Sequence, residues 1–164
     1  MILWPAGLAA VIVWQVFRDP AFDYRLVMAG ALLPDAVDAA TGGAWVSHTL
    51  VASVTLLAVV MAATRGRRRA RRRLLALPVG TFLHLVLDGV WARPHLFWWP
   101  WLGGSLGGPL PALDHGAGVL IAEELAGAAA LVWFARRFRI TDPGAWGSFW
   151  RTGRLVGARR SAGG

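Results

Sequence analysis

Apolar residues cluster in five segments of the chain, separated by short polar or glycine-rich stretches. The segments cover residues 2–17, 26–40, 46–64, 74–92 and 117–135, and each of the last three holds 19 residues. That length is close to the roughly 20 residues that a helix needs to cross a bilayer core about 30 Å thick. The first two segments are shorter, so they would tilt, pair as a hairpin or enter the membrane only in part. The pattern predicts an all-α fold, a polytopic membrane bundle of about five apolar helices.

The composition favours the same class of protein. Apolar residues make up 56% of the 164 residues, the mean hydropathy is +0.50, and there are 10 Trp but only 1 Tyr. The chain has no cysteine, which excludes disulfides and cysteine-based zinc sites. Nothing basic precedes the first segment, so we predict an uncleaved span rather than a signal peptide. We expect one helix-bundle domain at 1–140 and a basic cytoplasmic tail at 141–164, either interfacial or disordered.

The arginines predict how the bundle sits in the membrane. The net charge is +8, and all 17 basic residues are arginine. Seven lie at 65–73, seven after Ala135 and two at 18–25, whereas the 93–116 connection has one. By the positive-inside rule the first three regions are cytoplasmic, and the 93–116 connection lies outside. We therefore expect a multi-pass membrane protein whose Trp-rich stretch at 94–101 lies at the outer interface.

An alternative role for residues 65–73 is a nucleic-acid-binding patch, because seven of the nine residues are arginine. A nine-residue loop between two apolar spans is explained more simply as a determinant of topology. The sequence therefore predicts no nucleic-acid partner. The expected partner is the lipid bilayer.

Ionisable side chains interrupt four of the five segments at similar depths in the outer half of the membrane. At 1.5 Å per residue they lie about 15–24 Å from the cytoplasmic ends of their segments. Such groups are costly in a membrane and usually face a bundle interior, and no arginine lies in this layer to pair with the carboxylates. Two or more carboxylates with two imidazoles suit Zn²⁺ or a similar divalent ion. The residues are Asp35, Asp38, His48, His84, Asp88, Glu123 and Glu124.

Three short motifs resemble the bacterial membrane-bound metal-dependent hydrolase family, a group related to zinc-dependent phospholipase C. They are "GALLPDAVD" at 30–38, "SHTLV" at 47–51 and "FLHLVLDGV" at 82–90, and "FWWPW" at 97–101 is similar to a Trp-Pro element of the family. The resemblance implies a bacterial cytoplasmic membrane protein with a metal centre, whose ligands would occupy four positions of this chain. Those positions are Asp35, His48, His84 and Asp88, with Val37 and Asp38 standing where the family often has Asp-His.

Each metal-site candidate has a structural alternative. His84 alone would be a core histidine bonded to a carbonyl, but Asp88 on the same helix face and Asp35 at matching depth favour a ligand. Asp35 could instead cap a helix. Asp38 either supports a ligand from behind, joins the ligands or is an exposed cap. His48 follows Ser47, a plausible N-cap, and could face the outer interface.

The remaining candidates divide in the same way. Glu124 or Glu123 is a general base, a further carboxylate ligand or a protonated residue in helix packing. His95 and the pair Asp114–His115 are expected to be solvated loop residues.

Two classes of function follow. In the first, a bound divalent ion activates water towards an ester or phosphoester, such as a lipid, at the outer leaflet, with Glu124 or Glu123 as base. In the second, the same residues bind or pass an ion without catalysis.

Overall fold

The computed structural model describes residues 1–43, 46–103, 106 and 116–155, and this part of the chain is helical, without strands. All five apolar segments contain a helix, which confirms the all-α prediction. The α-helices are α1 (Leu3–Phe17), α2 (Tyr24–Thr41), α3 (Leu50–Ala63), α4 (Arg68–Leu74), α5 (Ala76–Leu87), α6 (Pro94–Phe97), α7 (Gly116–Arg137) and α8 (Pro143–Thr152). Short 3₁₀ turns occupy Val46–His48 and Val90–Ala92.

The third and fourth apolar segments are not continuous 19-residue helices, so that expectation was wrong. In the third, the turn Val46–His48 precedes α3, whose N-cap is Thr49; the Thr49 hydroxyl accepts a hydrogen bond from the Ala52 amide at 3.2 Å. In the fourth, α5 ends at Leu87 with Asp88 as its C-cap, and Gly89 follows with φ +64°. Both breaks place an ionisable side chain at a helix end, where the backbone changes direction.

Among the described residues, α7 is the one helix long and apolar enough to cross a membrane. Its 22 residues span about 33 Å. Only 11% of its most apolar window is buried against the rest of the chain. Helices α1 and α3 are apolar but shorter.

Glycines let two pairs of helices pack with their backbones in contact. A Cβ at Gly7 of α1 would lie 2.4 Å from the carbonyl oxygen of Gly127 in α7. A Cβ at Gly80 of α5 would lie 2.2 Å from the carbonyl oxygen of Val27 in α2, and Gly30 approaches α5 just as closely. Close approach of this kind is typical of small residues between membrane helices. It brings α2 against α5 one turn before the residues of the candidate site.

An aromatic core lies at the opposite end of the bundle. Tyr24 packs on Phe134 with ring centroids 5.2 Å apart, and Phe134 packs on Phe138 at 4.8 Å. Phe149 of α8 and Leu155 are buried in the same cluster. The described part of the predicted tail is therefore folded against the bundle. Both tryptophans of α8 are exposed on the surface of the chain.

Part of the arginine-rich loop also forms a helix, α4, which the sequence pattern did not predict. Two of its side chains reach the turn between α1 and α2: Arg72 lies 2.6 Å from Asp19, and Arg73 lies 2.9 Å from Asp23. These ion pairs tie the basic segment to the end of the bundle that carries the aromatic core.

Candidate metal centre

Four predicted ligands from three parts of the chain meet at one point. Asp35 comes from α2, His48 from the 3₁₀ turn before α3, and His84 and Asp88 from the end of α5. Each offers one ligand atom, and these atoms all lie within 4.8 Å of one another. The two histidines and Asp88 are buried, and Asp35 keeps 19% of its side chain exposed. The group could hold a metal ion.

The distances between the donor atoms fit the size of a small divalent ion. The Nε2 atoms of His48 and His84 are 3.0 Å apart. Asp35 Oδ1 is 3.7 Å from His48 Nε2 and 3.5 Å from His84 Nε2. Asp88 Oδ2 is 3.7 Å from His48 Nε2 and 3.6 Å from His84 Nε2. Ligand atoms at 2.0–2.2 Å around a tetrahedral ion would be about 3.3–3.6 Å apart, so the four imidazole–carboxylate distances are close to those of a zinc site, and the separation of the two imidazole nitrogens is shorter.

The outer nitrogen of each imidazole is occupied by an acceptor. His84 Nδ1 lies 2.7 Å from the carbonyl oxygen of Ala31, and His48 Nδ1 lies 2.8 Å from Asp38 Oδ2. The Ala31 carbonyl oxygen accepts a hydrogen bond, which favours the proton on Nδ1 of His84. His48 Nδ1 has the Asp38 carboxylate as a close neighbour but makes no hydrogen bond among the described residues. If both rings carry the proton on Nδ1, the two Nε2 atoms present lone pairs to each other at 3.0 Å. A metal ion bound by both nitrogens would remove this repulsion.

Asp88 gives a second sign of a missing partner. Its side chain is 1% exposed, and neither of its carboxylate oxygens has a hydrogen-bond partner among the described residues. A buried carboxylate without a donor is costly, and buried charges in proteins are normally paired or bound to metal. The donor set of two imidazoles and two carboxylates therefore fits a divalent ion of the zinc class.

Asp38 is not one of the four clustered residues but lies behind one of them. It is buried, which rules out the exposed cap considered from the sequence. It contacts His48 Nδ1 and accepts a hydrogen bond from the Ser47 hydroxyl. Metal-binding histidines usually donate their second N–H to such a carboxylate. Ser47 was expected to be an N-cap, but Thr49 caps α3 and Ser47 holds Asp38 in place.

Glu124 binds the beginning of α1. Its two carboxylate oxygens accept hydrogen bonds from the Ile2 and Leu3 amides at 2.7 and 3.0 Å. The preceding amino nitrogen, that of Met1, lies 3.1 Å from Asp35 Oδ2. Glu124 is therefore linked to the candidate ligand Asp35 through two adjacent residues, since it binds the Ile2 amide and the Met1 amino group contacts Asp35. Glu123 is its neighbour on α7 and lies outside the four-residue cluster.

The other histidine in the described part of the chain is separate from this centre. His95 is exposed, and its Nδ1 lies 3.2 Å from the carbonyl oxygen of Leu102. Asp114 and His115 lie outside the described residues.

Comparisons of the chain with protein-family models, with curated proteins and with solved structures gave no match. The resemblance to the metal-dependent hydrolase family therefore stays a prediction.

Proposed function

We propose that this chain is a membrane-embedded protein that binds one divalent metal ion, Zn²⁺ or similar, through Asp35, His48, His84 and Asp88. The observation that carries the proposal is the 3.0 Å separation of two imidazole Nε2 atoms whose Nδ1 atoms both face acceptors. A divalent ion would satisfy both nitrogens and balance the charge of the two carboxylates.

A single extra proton on one imidazole is the competing explanation for the short contact. It would relieve the repulsion between the two nitrogens. It would still leave both Asp88 oxygens buried without a donor, since each imidazole Nε2 is at least 3.6 Å from the nearer of them. The metal accounts for both observations, and the proton accounts for one.

We propose that the bound ion serves hydrolysis of an ester or phosphoester of a lipid. A divalent ion of this kind makes water a nucleophile near neutral pH and stabilises negative charge on the reacting group. Asp35 is the one candidate ligand with appreciable exposure, so the substrate would approach along its side. Glu124 binds the amides of Ile2 and Leu3, next to the Met1 amino group that contacts Asp35, and is the proposed proton acceptor.

An apolar groove beside the centre supports a lipid as the substrate. It has a volume of about 330 Å³ and runs between α2, α3 and α5. Leu33, Pro34 and Val37 line one wall, and Ala52 and Leu56 line the other. Because Pro34 directly precedes Asp35, an acyl chain in the groove would hold its ester near the candidate ligands.

A second candidate function, ion binding without catalysis, has its own supporting observation. Four protein donors would fill a four-coordinate zinc site and leave no position for water, which is the arrangement of structural zinc sites.

The membrane location rests on α7, which is apolar and mostly uncovered by the rest of the chain, and on the distribution of arginine. The proposed topology places α4 on the cytoplasmic side and the Trp-rich stretch outside. Because the chain has no cysteine, Arg67→Cys and Leu102→Cys each introduce a single thiol at an exposed position. An impermeant reagent should label Leu102→Cys but not Arg67→Cys in intact cells. The reverse pattern would contradict the orientation.

The functional experiment compares metal content and hydrolysis in phospholipid nanodiscs for three proteins. The wild type should retain about one Zn²⁺ per chain and hydrolyse at least one member of a panel of lipid esters and phosphoesters. His84→Ala should lose both properties, and His95→Ala, which removes an exposed histidine outside the cluster, should keep both. Zinc without hydrolysis would favour the second candidate, and absence of zinc from the wild type would contradict both.

A further inference from the structure

A polar cavity lies at the other end of α2, far from the candidate metal centre. It has a volume of about 440 Å³ and lies where the turn before α2, helix α4 and the segment after α8 meet. Asp23, at its edge, is twelve residues before Asp35, a separation of about 18 Å along a helix. A cavity of this size is within the range of small-molecule binding sites.

Guanidinium groups dominate the lining of this cavity. It is lined by Arg69, Arg72, Arg73 and Arg154, by one carboxylate, Asp23, and by Thr152 and Ala21. Arg73 pairs with Asp23, and Arg72 pairs with Asp19, which lies outside the lining. The guanidinium groups of Arg69 and Arg154 have no acceptor among the described residues. The cavity therefore has cationic hydrogen-bond donors in excess of its acceptors.

The carboxylates near the cavity are already engaged. Partial burial raises the pKa of Asp19, but hydrogen bonds from the Arg72 side chain and the Ala21 amide outweigh it, so the pKa lies below its usual value. Asp23 is 2% exposed and binds both Arg25 and Arg73. The charge of Arg154 also lowers the pKa of Asp19, but the two carboxylates are already bound by Arg25, Arg72 and Arg73, so positive charge remains in excess around the cavity.

The backbone around the cavity is held in one arrangement. The Tyr24 amide donates to the Gly153 carbonyl at 3.0 Å, and the Leu155 amide donates to the Pro20 carbonyl at 2.9 Å. A Cβ at Gly153 would overlap the Asp23 carboxylate at 1.7 Å, and Gly153 has φ +71°, so glycine is required there. This fixes Arg154 next to the arginines of α4.

We propose that this cavity binds a phosphate group, presented either by an anionic phospholipid or by a soluble phosphate compound. Guanidinium groups suit phosphate because their N–H donors form paired, charge-assisted hydrogen bonds with its oxygens. Basic pockets beside membrane helices on the cytoplasmic side commonly bind lipid headgroups. The lipid source agrees with the exposed Trp146 and Trp150 of α8, since tryptophan favours the membrane interface.

The test measures binding of two probes to the full chain in phosphatidylcholine nanodiscs. The probes are inorganic phosphate and a fluorescent short-chain phosphatidylglycerol, with the phosphatidylcholine analogue as the neutral reference. The pocket variant is Arg69→Gln with Arg154→Gln. Its charge-matched control is Arg68→Gln with Arg151→Gln, which removes one exposed arginine from α4 and one from α8. Neither of these two arginines lines the cavity.

The pocket variant should weaken binding of at least one probe at least about tenfold, because it removes two charged donors. The control should change binding by less than about twofold, because exposed charges are screened by salt. Phosphatidylglycerol binding that inorganic phosphate does not displace identifies the lipid as the source. Saturable binding of inorganic phosphate identifies the phosphate group alone as sufficient. Equal loss in both variants, or no preference of either probe over phosphatidylcholine, would overturn the proposal.

Discussion

Replacing Gly80 with alanine tests whether the close packing of α2 on α5 positions the candidate metal centre. The new Cβ would lie 2.2 Å from the Val27 carbonyl oxygen and 2.8 Å from the Ala31 amide nitrogen. Ordinary carbon–oxygen contacts are about 3.3 Å or longer, so the two helices would have to separate by about 1 Å. Overpacking of this kind costs about 1–3 kcal/mol, which lowers the melting temperature by roughly 2–12 °C in a chain of this length.

The same displacement should weaken metal binding. His84 is one turn after Gly80, and its Nδ1 lies 2.7 Å from the Ala31 carbonyl oxygen. A shift of about 1 Å would break that hydrogen bond and move Nε2 away from the other donors. Disturbing such a supporting contact usually lowers metal affinity about 10–100-fold.

Thermal unfolding and zinc competition with a chelator measure the two effects on the same preparation. The control is Gly118→Ala in α7, where a Cβ would meet nothing within 4 Å. Alanine is the better helix former by about 1 kcal/mol, so the control should be as stable as the wild type or slightly more stable. If Gly80→Ala matched the control in melting temperature and zinc affinity, the packing argument would be refuted.

Three further predictions concern the groups around the centre. Asp38→Asn removes the charge behind His48 and should lower zinc affinity about 10–100-fold in chelator competition, and unchanged affinity would contradict the supporting role of Asp38. Glu124→Gln should keep zinc but reduce turnover about 10²–10⁴-fold, and a change confined to the melting temperature would show that the residue only caps α1. Acidification should release zinc in equilibrium dialysis, because both imidazoles must be neutral to bind it, and a zinc content unaffected between about pH 8 and 5 would count against histidine ligands.

The apolar pattern predicted five helical segments and a common depth for seven ionisable residues, and the resemblance to the hydrolase family selected Asp35, His48, His84 and Asp88 among them. The i, i+4 spacing placed His84 and Asp88 on one face, and the depth of each residue from its helix end indicated a common layer. Depth does not say which way a side chain points around the helix axis. The sequence therefore did not decide whether Asp38 joins the ligands or supports His48.

Contacts between distant parts of the chain account for what the sequence did not show. Glu124 and Ile2 are 122 residues apart, and neither has a local signal for their hydrogen bond. The third apolar segment reads as one helix by hydropathy, although Thr49 caps α3 and leaves His48 in a separate turn. Helix α4 has no apolar stripe, and its arginines reach two aspartates of the first turn.

The most direct test of the central claim is X-ray absorption spectroscopy of the purified protein after loading with Zn²⁺ and removal of excess metal. The account predicts about one ion per chain, with two imidazole nitrogens and two carboxylate oxygens at about 2.0–2.2 Å. The His84→Ala protein should lose this spectrum, and the His95→Ala protein should keep it. A wild-type protein that retains no zinc, or whose zinc spectrum is unchanged by His84→Ala, would contradict the account.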